Sequence, residues 1–190
     1  MNGGRPTIKE ILSPDASFEA KLIMDLERLK EVVKSLQSFG YKVVLTQGVY
    51  DLYHVNHGKY LSLAKSYGDI LIVGIDTDEL TRKRKGKNRP IDPEMERLEV
   101  LSFLSSVDIL TLRPLRDAEE DIDYLCKAIC PDVLVMSRST EDFDEEKKHD
   151  FEKNHVGRVV VLDPQGTTST SSRIRTMVLD GAEALQKRIH

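Results

Sequence analysis

Five short apolar runs constrain this chain more than any other feature. They are residues 42–45 (KVVL), 70–75 (ILIVGI), 107–112 (VDILTL), 133–136 (VLVM) and 159–162 (VVVL). Near-continuous apolar, β-branched runs suit strands buried on both faces, as in a parallel sheet. Helix-like segments separate them. Residues 59–67 end at Gly68. Residues 93–106 begin with Pro93 in a first turn, after Asp92 as N-cap. Residues 118–129 carry Ile122, Leu125, Cys126 and Ile129 on one face and stop before Pro131. Ahead of the first run, Leu22, Leu26, Leu29, Val33 and Leu36 form one helical stripe, closed by Gly40. Residues 140–154 are charged and solvated, and a last helix runs from Ser172. The alternation predicts an α/β fold, an open five-stranded parallel sheet with helices on both faces and right-handed crossovers. The run 42–45 takes the centre, because it feeds directly into the turn described below.

The 190 residues suit a single domain over 18–190, behind a polar, flexible lead-in over 1–17 that contains Gly3, Gly4, Pro6 and Pro14. The 28 basic against 32 acidic residues leave a net charge of −4, which argues against a non-specific nucleic-acid binder. No apolar run reaches membrane-spanning length, so no membrane partner is expected. The start lacks the layout of a secretory signal, and two cysteines exclude a disulfide scaffold, so a cytoplasmic setting is the expectation. Cys126 falls on an apolar stripe and reads as core.

In open α/β sheets ligands sit beyond the carboxyl ends of the strands. There, Gly48-Val49-Tyr50-Asp51 is followed by His54-Val55-Asn56-His57. Two histidines three apart at a helix start lie on one side, beside free backbone N–H groups. That is an anion site with two imidazole donors, and Gly48 lets the backbone approach a nucleotide. The alternatives are packing or capping histidines, and, more weakly, a metal pair. Residues 167–175 (TTSTSSRIR) open the last helix with hydroxyls and two arginines, which reads as a second phosphate site or as N-caps. Residues 82–90 (RKRKGKNRP) hold six cations in nine positions, either an anion-attracting loop or a solvated one. Arg97 stands in the first turns of a helix, against the dipole, so a specific acidic partner is expected.

Together these motifs resemble the cytidylyltransferase-like nucleotidyltransferase superfamily. Its pattern is Gly-x-Phe-Asp, then His-x-Gly-His, then Ser/Thr-Ser/Thr-x-Ile. Gly48–Asp51, His54–His57 and Thr170-Ser171-Ser172-Arg173-Ile174-Arg175 match in order. Over roughly residues 20–175 the likeness is to the adenylyltransferase half of bacterial heptose-phosphate enzymes. Glycerol-phosphate cytidylyltransferases share a shorter stretch.

The resemblance implies a Rossmann-like fold and nucleotidyl transfer from ATP or CTP to a phosphorylated small molecule such as a sugar phosphate, with release of pyrophosphate. It implies Mg²⁺, held mainly by the nucleotide and water, and a homodimer. His54 and His57 would contact the triphosphate; Arg97, Arg173 and Arg175 would stand on the pyrophosphate side. Lys85 and Arg89 would meet the acceptor phosphate or close the loop. Gly48, Val49, Tyr50, Asp51, Asn56, Thr170, Ser171 and Ser172 would line the nucleotide; Asp78 and Arg138 would join the substrate side. Asp51 either packs the turn or touches metal. Two positions depart from the pattern: Asn56 replaces a glycine, and Met136-Ser137-Arg138-Ser139 replaces Lys-Gly-x-Asp. The alternatives are a polyol-phosphate cytidylyltransferase and a nucleotide-binding sensor or subunit without catalysis.

Overall fold

Every apolar run forms a strand. A computed structural model describes residues 6–114, 124–138, 145–166 and 169–189, with backbone alone for 181–185 and 187–189. The strands are β1 (Val43–Gly48), β2 (Ile70–Asp76), β3 (Ile109–Arg113), β4 (Val133–Ser137) and β5 (Arg158–Leu162). All pair in parallel, in the order β3-β2-β1-β4-β5. As expected, β1 is central. The chain winds outward from it to β3, then returns to its other side as β4. This reversal opens a crevice at the carboxyl ends of β1 and β4.

Successive strand residues point to opposite faces, and each face here builds its own core. Val43, Leu45, Ile70, Ile72 and Ile109 pack on one side, under α3 (Leu26–Ser38), α7 (Tyr124–Ile129) and α8 (Glu145–Asn154). Val44, Leu71, Val73, Ile75 and Leu110 pack on the other, under α4 (Val55–Lys65) and α6 (Glu94–Ser102). Cys126 is fully buried in the first core.

Several boundaries differ from the sequence reading. The helix expected from Leu22 begins at Leu26, because Asp25 caps it by accepting from the Arg28 N–H at 2.7 Å. Leu22 instead bridges to Leu110. Asp92 does not cap α6; its carboxylate accepts the Leu52 N–H at 2.8 Å. The last helix, α9 (Thr170–Ile189), starts two residues before Ser172. Residues 118–123 and 140–144, and Thr167 and Thr168, lie outside the described residues. No described helix is long and apolar enough to cross a membrane.

From residue 6 the expected loose lead-in is docked. Thr7 and Glu10 form a reciprocal capping box on α1 (Ile8–Ile11), and Ile11 is buried in the first core. The next turn, α2 (Phe18–Lys21), buries Lys21, whose ammonium donates to the carbonyls of Ser102 at 2.8 Å and Leu104 at 3.3 Å. The Ser102 carbonyl stands at the end of α6, where a cation also suits the helix dipole, and the Leu104 carbonyl just beyond it is shared with the Val107 N–H at 3.1 Å. Burial pushes the lysine pKa down, while the Asp108 charge opposes the shift. Lys21→Met should therefore cost about 1–3 kcal/mol, the penalty for leaving the buried Ser102 carbonyl without its donor, whereas the Leu104 carbonyl keeps the Val107 N–H. Urea denaturation measures it; an unchanged midpoint would mean that water replaces the ammonium without loss.

Candidate active site

At the carboxyl end of β1 the backbone turns sharply. Tyr50 and Leu52 both take left-handed conformations, with φ of 56° and 46°. Such residues cost about 1–3 kcal/mol each and persist where the surroundings over-determine them. Here they do. The Asp51 carboxylate, 2% exposed, accepts the N–H groups of Ile91 and Asp92 at 2.9 Å each and Arg89 Nε at 2.8 Å. Asp92 holds Leu52 N–H, and Arg97 donates to the Val49 carbonyl at 2.6 Å. Segment 89–97 is thus the mould in which the turn is cast. Gly48 belongs to the same packing: a Cβ there would stand 3.1 Å from the Tyr50 ring.

Four of the residues expected at the substrate have partners within the protein. Asp51 packs the turn. Arg97, 2% exposed, spends its fork on the Val49 carbonyl, the Asp92 carbonyl at 2.9 Å and the Asp78 carboxylate at 2.7 Å. Asp78 is therefore the acidic partner that its sequence position required. Arg89 is paired to Asp51. The two buried charges, Asp51 and Arg97, are thus each matched by an ion pair, as burial requires, and the four side chains together hold the turn.

His54 and His57 open α4 with their rings stacked, centroids 3.9 Å apart and planes 19° apart. Tyr50 meets the His57 ring edge-on at 5.5 Å, and Tyr53 approaches it at 5.9 Å. Both nitrogens of His54, and Nδ1 of His57, are buried without a hydrogen-bond partner among the described residues. Buried polar atoms are nearly always satisfied, so a cluster of orphans marks a place completed by a ligand. Burial pushes the His57 pKa down to about 4, helped by His54, Lys85 and Arg173 and opposed by Asp51. Burial and Arg173 also lower that of His54. At neutral pH the uncharged rings present N–H donors.

The charges of two cationic elements act on the pair. In α5 (Asp78–Lys85) and the residues after it, Arg84 is anchored on Asp76 at 2.9 Å and Arg89 on Asp51. Lys85, between them, acts on His57. Protein crowding around its ammonium and the Arg89 charge lower its pKa, although the side chain reaches solvent. Ser169 and Ser172 cap α9 reciprocally, Ser172 N–H to Ser169 Oγ at 3.1 Å and Ser169 N–H to Ser172 Oγ at 2.9 Å. Thr170 Oγ1 donates to the Asp51 carbonyl at 2.8 Å, which ties α9 to the histidine turn. Ser171 is exposed. Arg173 acts on both histidines. Arg175 lies about 200° further round the helix than Arg173. Arg138 stands just beyond the carboxyl end of β4, in an exposed pair with Asp163.

Two groups escape the sequence reading. Asp76, fully buried, is Arg113's partner across the β2–β3 register. Asp92 reads along the chain as a cap and holds the histidine turn instead. Their only sequence signal is a charge at the end of a buried run or ahead of a helix. Asp51, Asp76 and Asp78 are all held by arginines, and among the described residues no group of three metal-ligating side chains occurs. A magnesium ion would find its ligands on a nucleotide's phosphates and on water.

Residues 45–177 match the cytidylyltransferase-like family, well over half of the sequence. The chain belongs to the cytidylyltransferase-like family. Among its curated relatives are the bifunctional proteins HldE of Desulfatibacillum aliphaticivorans, 32% identical over 87% of this chain, and of Aliarcobacter butzleri, 36% identical over 92%. The chain spans only 32% and 36% of the length of these two relatives. A solved lipopolysaccharide core biosynthesis protein from Thermoplasma volcanium superposes with a TM-score of 0.55 at 29% identity, covering 68% of this chain and all of that one. Pantoate-beta-alanine ligase from Francisella tularensis shares the fold, at TM-score 0.54 and 16% identity, over 79% of this chain and 68% of its own.

The depressed histidine pKa makes a prediction for this cytidylyltransferase-like chain. The unfolded state has His57 near 6.5 and the folded state near 4, so between these values the unfolded state binds more protons. Stability should rise with pH across that window and fall as pH drops from about 6.5 towards 4. His57→Gln should flatten this dependence in chemical denaturation. Parallel pH curves for the two proteins would count against a neutral buried His57.

Proposed function

We propose that the chain is a nucleotidyltransferase, joining a nucleotidyl group from ATP or CTP to a phosphorylated small molecule of the sugar-phosphate class. The observation that carries this reading is the stacked His54–His57 pair, with orphaned buried nitrogens at a helix start and the Lys85 and Arg173 charges acting on it. A phosphate oxygen of the acceptor attacks the α-phosphorus in line. The bond from that phosphorus to the β-bridging oxygen breaks, and pyrophosphate leaves with the electron pair. The acceptor is already an anion, so no base is needed; the protein positions the phosphates and stabilises charge. Neutral His54 and His57 donate N–H bonds to the triphosphate. Arg173 and Lys85 offset negative charge. Mg²⁺ supplies further charge neutralisation when it arrives on the nucleotide.

The scaffold of Asp51, Arg89, Arg97 and Asp78 holds the turn rigid while this happens. The protein acts in the cytoplasm as a homodimer; exposed Val100 and Phe103 at the end of α6, 39% and 78% accessible, offer apolar surface for the self-contact. Pyrophosphate release, measured with ATP and with CTP against a panel of sugar and polyol phosphates, tests the reading. Turnover with one sugar phosphate is expected. Nucleotide binding without release on any acceptor would replace the enzyme by a sensor.

A further inference from the structure

Asn56 stands between the two histidines, in the first turn of α4. The sequence reading places its amide on the nucleotide. The structure places it against the backbone of Gly166, in the connection between β5 and α9. A Cβ on Gly166 would lie 2.5 Å from Asn56 Oδ1, 2.7 Å from Nδ2 and 2.8 Å from Cγ. No side chain fits at 166 while the amide stays where it is. Four residues later, Thr170 Oγ1 is bonded to the Asp51 carbonyl. Gly166 and the first residue of α9, the helix that carries Arg173, thus each meet the histidine turn.

Resting on the nucleotidyltransferase reading, we propose that Asn56 is a positioning residue. Its amide is a spacer that sets the height of the β5–α9 connection above the histidine turn, with Gly166 as its obligate counterpart. The pair fixes how far Thr170 and Arg173 stand from the phosphates, so its effect falls on nucleotide binding. A glycine at 56 would leave a gap of amide size beneath Gly166.

The geometry predicts a specific non-additivity. Asn56→Gly removes the spacer, and Gly166→Ala drives a methyl group into it. Each single change should weaken ATP or CTP binding about five- to tenfold and raise KM more than it lowers kcat. In the double variant the methyl group introduced at position 166 enters space that the amide has vacated. Its binding should recover most of the way to that of the unchanged protein.

The same cycle is read without nucleotide from the rate of protease cleavage within 163–170. Both singles should be cut several-fold faster, and the double variant close to the unchanged rate. This arm stands even if the unchanged protein binds neither ATP nor CTP, a result that would sink the nucleotidyltransferase reading alone. Additive effects in the cleavage cycle would overturn the spacer. So would a Gly166→Ala protein that behaves as the unchanged one while Asn56→Gly alone loses affinity, the pattern of a direct nucleotide contact. Tighter binding by Asn56→Gly would also overturn it, since the amide would then be an obstruction.

Discussion

Replacing His57 by alanine is expected to lower turnover at least about a hundredfold, the scale of losing one preorganised donor to a developing negative charge. His54→Ala should do the same. The expectation rests on their shared position at the start of α4 and on ring nitrogens that find no partner among the described residues. Thermal stability should change little, because two effects oppose each other. The alanine variant loses the ring stacking, and it also removes a buried polar group whose desolvation is uncompensated until a ligand arrives. This is the usual signature of a site that trades stability for function. Pyrophosphate release and melting temperature, measured on the same preparations, decide the matter. Near-normal turnover in either variant would remove the pair from the chemistry. A collapse in melting temperature would make them packing residues.

The second large effect is expected at Asp51, and it is the reverse in kind. Asp51→Ala leaves the Arg89 guanidinium without its carboxylate and the N–H groups of Ile91 and Asp92 without an acceptor. Removing one member of a buried ion pair costs about 3–5 kcal/mol. In a chain of this size that lowers the melting temperature by roughly 10 °C. Activity should fall as well, since Tyr50 and Leu52 then have less to hold them in left-handed conformations. Asp51→Asn, which keeps one acceptor oxygen, should lose about half as much. If Asp51→Ala melts like the unchanged protein yet is inactive, the carboxylate touches substrate or metal, and the turn is held by other means.

The difference between these residues is not legible along the chain. His54, His57 and Asp51 occur within seven positions and belong to the same motif. The histidine pair can be read locally, because a three-residue spacing at a helix start puts two side chains on one side whatever else the protein does. For Asp51 the spacing allows metal contact or packing equally. What separates them is segment 89–97, which arrives from the far side of β2 and α5 and places two N–H groups and an arginine on the carboxylate. Asn56 shows the same limit. Its departure from the motif is visible, but the backbone of Gly166 that faces it is 110 residues away.

By itself the sequence determined the architecture. Apolar runs without alternation can be satisfied only between two helical layers, so five of them specify a parallel sheet. The run that feeds the histidine turn marked the central strand. It also determined where the site would be, since motifs at strand ends gather at one edge of such a sheet. The tertiary structure decided which charges face a ligand and which face each other. Arg97 finds Asp78 at a separation of 19 residues, Arg113 finds Asp76 at 37 and Arg89 finds Asp51 at 38. Arg113 meets Asp76 because β2 and β3 end side by side, and the other two pairs form where α5, α6 and the segment between them fold back over the turn after β1; in each case a charge taken from water is matched by its nearest spatial neighbour. Side-chain type and local spacing carry no record of that neighbour. So of the arginines and lysines that crowd the sequence motifs, only the assembled fold distinguishes Arg173 and Lys85, which act on the histidines, from Arg97 and Arg89, which hold the turn beneath them.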